Sequence, residues 1–232
     1  MPASPPKTAQ RRRAKGKTVA KSSKRKLPKY LSREEVGALM AVFNLRAATG
    51  LRDRCMFELM YHAGMRIGEV CALELRDVDL SEGHVRIVAG KTGDRTARFN
   101  AALLSPLLER WLDRRRQLGV AKSAPLFCTV QSRPGKPRGG SVDANQLREK
   151  IKLAARKAGL DPRQVHPHAL RHSFSKHYLE DKKNVRDLQK LLGHVNLETT
   201  SQYLEIVDSD LDDKMRTWDP LGRLDETSVQ KR

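Results

Sequence analysis

Apolar residues recur at helical spacing along most of this chain and at strand spacing over one short stretch. Val36, Leu39, Met40 and Phe43 fall at i, i+3, i+4 and i+7, the stripe of an amphipathic helix. Ser32 stands ahead of them with Glu35 three residues on, which predicts a capping box at the helix start. Leu51, Cys55, Met56, Leu59 and Met60 predict a second helix over about 51–62, broken by Gly64. A third, from Arg66 to about Leu73, would bury Ile67, Val70 and Cys71. The period then changes to two. His84-Val-Arg-Ile-Val88 alternates polar and apolar, and Thr96-Ala-Arg-Phe99 is a second short run. Gly90-Lys91-Thr92-Gly93-Asp94 between them predicts a β-hairpin with Lys91 at its tip.

Ser105-Pro106 reads as the start of another helix, Ser as N-cap and Pro at the first helical position. Leu107, Leu108, Trp111 and Leu112 would line one side of it, with Arg114, Arg115 and Arg116 at its end. Leu126-Phe-Cys-Thr-Val130 reads as a third strand, and residues 131–140 as a basic Gly/Pro loop. Further helices are predicted at about 143–158, 168–180, 184–192, 197–205 and 209–217, with Gly193 where a C-terminal cap glycine belongs. The expected fold is mainly α with a small three-stranded antiparallel sheet.

Composition narrows the class. The chain of 232 residues is 38% hydrophobic, enough for one packed domain with a tail. No run approaches the roughly 18 apolar residues of a membrane span, and the N-terminus lacks an apolar signal region. No membrane partner is expected, and the location is expected to be cytoplasmic and nucleoid-associated. Cys55, Cys71 and Cys128 form no CxxC pair and have apolar neighbours, so reduced, buried thiols are expected. Net charge is +19, and eleven Lys/Arg with no acid lie in residues 1–30. Such a segment cannot offset its ordering entropy and is expected to be a disordered tail. Its runs Arg11, Arg12, Arg13 and Lys24, Arg25, Lys26 would attract a polyanion by counterion release. The plainer alternative is a solubilising tail without specific contacts.

The densest chemistry lies between His168 and Tyr203: His168-Ala-Leu-Arg171-His172, then Leu192-Gly-His194, then Tyr203. A free tyrosine is only roughly 0.1% ionised at pH 7. It becomes a useful nucleophile when cationic groups stabilise the phenolate and the phosphate it attacks. His168 and Arg171, three apart at a helix start, share a face. Alone, that spacing is often surface coincidence, and Tyr203 alone would more often pack beside Leu204 and Ile206. Arg66 opens a helix, where the N-terminal dipole disfavours a cation and favours an anion. Glu69, one turn on, is placed to orient its guanidinium or to form an ordinary surface pair. No Asp/Glu/His cluster has metal-ligand spacing, so no metal is expected.

Gly64-x-Arg66-x-x-Glu69, the hairpin-tip Lys91, His168-x-x-Arg171-His172, Leu191-Leu-Gly-His194 and Tyr203 nine residues later resemble the tyrosine recombinase (phage integrase) family in order and spacing. The resemblance runs from about Leu27 to Trp218, the family's catalytic domain. It implies that Tyr203 attacks a scissile phosphate of double-stranded DNA to form a 3′-phosphotyrosyl link. Arg66 and Arg171 would bind the non-bridging oxygens, which planar guanidinium forks suit better than Lys. His168 would take the tyrosine proton, His194 would donate to the phosphate, and Lys91 would protonate the leaving 5′-oxygen. Glu69 and His172 would support the site. The phosphotyrosine conserves the bond energy, so neither ATP nor another cofactor is expected.

The implied organisation is a polybasic tail over 1–29, the catalytic domain over 30–218 and a C-terminal tail over 219–232. The helical core-binding domain that precedes the catalytic domain in most members has no counterpart in residues 1–29. The Arg/Lys runs there are expected to contact the DNA backbone in its place. Trp218 and Leu211 would either dock on a neighbouring protomer or join the local core. The implied partners are a homotetramer on DNA and a directionality factor or DNA-bending protein. Type IB topoisomerase-like or resolvase activity, and a catalytically silent DNA-binding regulator, are the alternatives.

Overall fold

The computed structural model of the protein describes residues 30–88, 94–132, 138–182 and 184–193. The basic tail, the hairpin tip with Lys91, residues 133–137 of the 131–140 loop, His194, Tyr203, both helices expected after 196 and the C-terminal tail lie outside the described residues.

Seven helices and three strands are described: α1 (Arg33–Ala41), α2 (Ala48–His62), α3 (Ile67–Ala72), β1 (Val78–Asp79), β2 (His84–Ile87), β3 (Arg95–Arg98), α4 (Ala101–Gln117), α5 (Ala144–Lys157), α6 (Pro167–Lys182) and α7 (Val185–Leu192). The mainly helical fold with a small antiparallel sheet is as expected. The capping box is present: Glu35 N–H donates to Ser32 Oγ at 3.1 Å, and Ser32 N–H donates to Glu35 Oε2 at 2.7 Å. Gly193 ends α7 in the left-handed region at φ 63°.

α2 is the central element. Leu51, Cys55, Met56, Phe57, Leu59 and Met60 are all buried, because α4, α6, α3 and α1 pack around it. It also buries charge. Asp53 takes Arg52 Nη2 at 2.6 Å and Lys150 Nζ at 2.5 Å, and Glu58 takes Arg54 Nε at 2.5 Å, so each carboxylate is paired. Cys55 and Cys128 are buried and Cys71 is half-buried, all three as free thiols.

Two predicted boundaries are corrected. α4 begins at Ala101, not at Pro106. Asn100 is the N-cap, with its side chain accepting from Leu103 N–H at 3.3 Å. Ser105 is unavailable as a cap because its hydroxyl donates to Leu80 O at 2.6 Å, and Pro106 sits in the second turn. Leu126–Val130 is not a sheet strand. The third strand is the two-residue β1, paired with β2 in the order β1-β2-β3. The 126–130 backbone is satisfied piecemeal instead. Leu126 N–H donates to Leu73 O at 2.7 Å, Arg52 Nη1 to Cys128 O at 2.8 Å, and a single bridge joins Cys128 to Ser141.

The main core centres on Trp111, Phe57 and Phe127. A separate small cluster, Leu179, Leu188 and Leu192 with Phe174, Tyr178 and Val185 against it, holds α7 to α6. No helix among the described residues is long and apolar enough to cross a membrane.

Trp111 is fully buried, stacks 6.2 Å from Phe127 and donates from Nε1 to Leu126 O at 2.9 Å. Trp111→Ala is expected to cost about 3–5 kcal/mol in urea unfolding, from a cavity and an orphaned carbonyl. A loss below about 1 kcal/mol would contradict its place in the core.

Candidate active site

The site is built where the α2–α3 turn, the start of α6 and the end of α7 meet. Gly64 makes the turn at φ 58°. A side chain there would also strike Phe174 at 2.7 Å and Leu192 at 2.9 Å, so glycine is required twice over. The turn delivers Arg66 to the N-cap of α3. Its backbone N–H donates to Glu69 Oε2 and its Nη1 to Glu69 Oε1, both at 2.8 Å. Burial pushes the Glu69 carboxyl up, but the Arg66 N–H and the Arg95 guanidinium outweigh it and hold the group below the usual carboxylate range. Glu69 thus binds both the backbone N–H and the guanidinium of Arg66.

His166 and Pro167 begin α6. His166 Nδ1 accepts from Ala169 N–H at 3.1 Å, so this ring caps the helix and must be unprotonated at Nδ1. Burial, followed by the nearby His168, keeps its pKa below the ordinary histidine value. His168 and Arg171 follow one turn apart, and the structure separates their surroundings. His168 is exposed and lines a cleft of about 790 Å³ together with Arg66, Glu69, Arg76, Arg86 and Asp94. Burial, then Arg171, Arg148 and Arg66, lower its pKa, which favours the neutral ring. Arg171 is buried, with Nη1 donating to Gly64 O and Nη2 donating to Leu192 O at 2.9 Å. His172 is half-buried, its pKa pushed down to about 4 by burial and then by His168, His166 and Arg171.

Arg66, Glu69, His168, Arg171 and His172 are thus brought together from the starts of two helices about a hundred residues apart in sequence. α7 ends at Leu192 beside Arg171, two residues before His194. Lys91, His194 and Tyr203 lie outside the described residues, as do Arg11, Arg12, Arg13, Lys24, Arg25 and Lys26. A cleft with guanidinium groups and a neutral imidazole can bind an oxyanion and accept a proton beside it.

Three residues with a part in this arrangement escape sequence reading. Arg95 shares Glu69 with Arg66 through Nη2 at 2.7 Å. It sits at the start of β3, and no local signal marks it. His166 caps α6, and its place directly before Pro167 is the one clue in the sequence. Arg148, on α5, is near enough to depress the His168 pKa, a proximity that only the fold creates.

The sequence profile of the phage integrase family matches residues 29–209. The chain is 37% identical over 187 residues to tyrosine recombinase XerD of Xanthomonas axonopodis pv. citri, covering 77% of this chain and 59% of that protein. The chain therefore spans about three fifths of that relative's length. Among solved structures it is similar to the XerH site-specific recombinase in a post-cleavage complex with its palindromic difH substrate. The TM-score there is 0.68 at 25% identity, over 83% of this chain and 54% of that one. The catalytic domain of bacteriophage HP1 integrase shares the fold, with TM-score 0.54 at 20% identity over 84% of this chain and 97% of that domain. A profile match over 181 consecutive residues, on a fold these catalytic domains share, places the chain in the phage integrase (tyrosine recombinase) family.

Proposed function

We propose that this chain is a site-specific DNA recombinase that cuts and rejoins double-stranded DNA through a 3′-phosphotyrosyl intermediate. The observation that carries the reading is one cleft lined by Arg66, held by Glu69, and by His168, with the buried Arg171 tying the Gly64 turn before Arg66 to the α7 terminus from which the chain runs on to Tyr203. In the cutting step Tyr203 Oη attacks the scissile phosphorus and the phosphorus–5′-oxygen bond breaks. His168 takes the phenolic proton and Lys91 supplies one to the leaving 5′-oxygen. Rejoining reverses these transfers, so no outside energy source is needed. Arg66, Arg171 and His194 stabilise the charge on the non-bridging oxygens. His172 backs His168 and Arg171 from the same helix.

Residues 30–218 are taken as the catalytic domain in this reading. The runs Arg11, Arg12, Arg13 and Lys24, Arg25, Lys26 contact the DNA backbone. Assembly on DNA is as a homotetramer, with a directionality factor or DNA-bending protein as a further partner. The DNA complexes of relatives support DNA as the substrate: XerH was solved in a post-cleavage complex with its difH substrate, and the Tn1549 transposon integrase with transposon end DNA.

Nicked suicide duplexes test the reaction. Wild-type protein is expected to form an adduct that survives SDS, and Tyr203→Phe is expected to form none. An adduct that persists in the variant would remove Tyr203 as nucleophile. For the tail, deleting residues 2–27 is expected to weaken binding and flatten the dependence of log K on log salt, by about 0.9 for each phosphate that the tail neutralises. An unchanged slope would rule the tail out as a partner of the DNA backbone.

Acid acts with a fixed sign. His168 is held neutral to below its ordinary pKa, so single-turnover cleavage should stay level down through about pH 6.5 and fall only at lower pH. Stability follows the same direction. The His172 contribution is complete above about 6.5 and is lost as pH falls toward about 4, because the unfolded chain takes up a proton that the folded one refuses. Melting temperature against pH should therefore slope upward across that window, and less steeply in His172→Gln. An equal slope in both proteins would refute the assignment.

A further inference from the structure

One buried charged group at the site has no role in the chemistry described so far. Arg95 opens β3, and its side chain is only 7% exposed. Nη2 donates to Glu69 Oε2 at 2.7 Å and Nη1 donates to Leu191 O at 2.8 Å. Its stem crosses Gly193, where an added Cβ would fall 2.3 Å from Arg95 Cδ. Arg95 Nε is buried and makes no hydrogen bond among the described residues. Burying a guanidinium with one donor unsatisfied is costly, so the bonds it does make must matter.

Those bonds join two things that cleavage requires. The Glu69 carboxylate is shared: Oε1 accepts from Arg66 Nη1, while Oε2 accepts from the Arg66 backbone N–H and from Arg95. On its other side Arg95 holds the last turn of α7, beside the Arg171 bond to Leu192 O. The chain leaves α7 there for His194 and Tyr203. Lysine could not reproduce this, because a single ammonium on a flexible stem lacks the planar fork that donates in two directions.

We infer that Arg95 is a positioning residue for strand cleavage, an inference that rests on the recombinase reading above. It fixes Arg66 through Glu69 and the outlet of α7 through Leu191 O. The phosphate-binding guanidinium and the segment bearing the nucleophile thereby keep one register.

The test uses the full chain and a pool of nicked suicide duplexes with a randomised central segment. Duplexes captured by wild type are sequenced to give one substrate. Single-turnover adduct formation and DNA affinity are then measured for wild type, Arg95→Lys, Arg95→Met, Glu69→Gln and the Arg95→Met/Glu69→Gln pair. Displacement of reacting groups by about an ångström can cost on the order of a hundredfold in rate. Both Arg95 variants are therefore expected to slow adduct formation at least about tenfold, with the dissociation constant changed less than about threefold. Because the two residues act as one unit, the double variant should lose little more than the worse single. Gly193→Ala, which pushes the Arg95 stem aside, should show the same kinetic defect. Rates within about twofold of wild type would overturn the inference, as would losses that multiply in the double variant. A loss matched by DNA affinity, or by the unfolded fraction in circular dichroism, would overturn it as well. If wild type itself captures no duplex, the recombinase reading fails first and the inference falls with it.

Discussion

The buried guanidinium of Arg171 ties together three parts of the chain that share no local sequence. It rises from the second turn of α6, donates to Gly64 O in the α2–α3 turn, and donates to Leu192 O at the end of α7. A buried cation whose donors meet carbonyls from separate segments makes their arrangement cooperative, because moving either segment leaves charge and carbonyl unpaired in a poor solvent for both. The Gly64 turn must then stay tight enough for Arg66 to start α3. α7 must end where it does. Glycine at 64 is the geometric condition for both, since any side chain would strike Phe174 or Leu192.

α7 depends on this constraint more than the other helices do. Its apolar contacts are a small satellite cluster against α6, outside the main core. Such a cluster contributes far less than the burial around Trp111 and Phe57, and regions with few apolar contacts open most readily. The arginine bonds to Leu191 O and Leu192 O fall on the last carbonyls of α7, where the helix dipole is negative and no intrahelical donor remains. Polar anchoring thus holds an element whose own core is thin, and it does so at the point where the chain departs for His194.

Much of this was legible in the sequence because it is local. The capping box at Ser32, the helical stripe on α1 and the glycine ending α7 each follow from a few adjacent residues. The Arg66–Glu69 pair was legible for the same reason, being one helical turn apart. The errors came where tertiary partners took over a local signal. Ser105 looked like a cap, but its hydroxyl was claimed by Leu80 O, and Asn100 caps the helix instead. Leu126–Val130 had the composition of a strand, yet its Leu126 and Cys128 carbonyls accept from Trp111 and Arg52 in place of a sheet neighbour. Arg95 was invisible because its meaning depends on Glu69 and Leu191, which are 26 and 96 residues away.

The charge balance of the site explains why a carboxylate belongs in a centre proposed to bind an anion. Arg66, Arg95 and Arg171 converge with Glu69, which leaves an excess of positive charge in a partly buried region. Without Glu69, three guanidinium groups would repel one another where water screens poorly, and the fold would bear that repulsion permanently. With it, Arg66 and Arg95 are paired and fixed, and the remaining excess suits the added charge of a phosphodiester in its transition state. Burial, and after it Arg171, Arg148 and Arg66, lower the pKa of His168, which favours the imidazole as a proton acceptor over a further competing cation. Glu69 thus offsets part of the positive charge of Arg66 and Arg95, and Arg95 links that pairing to the end of α7.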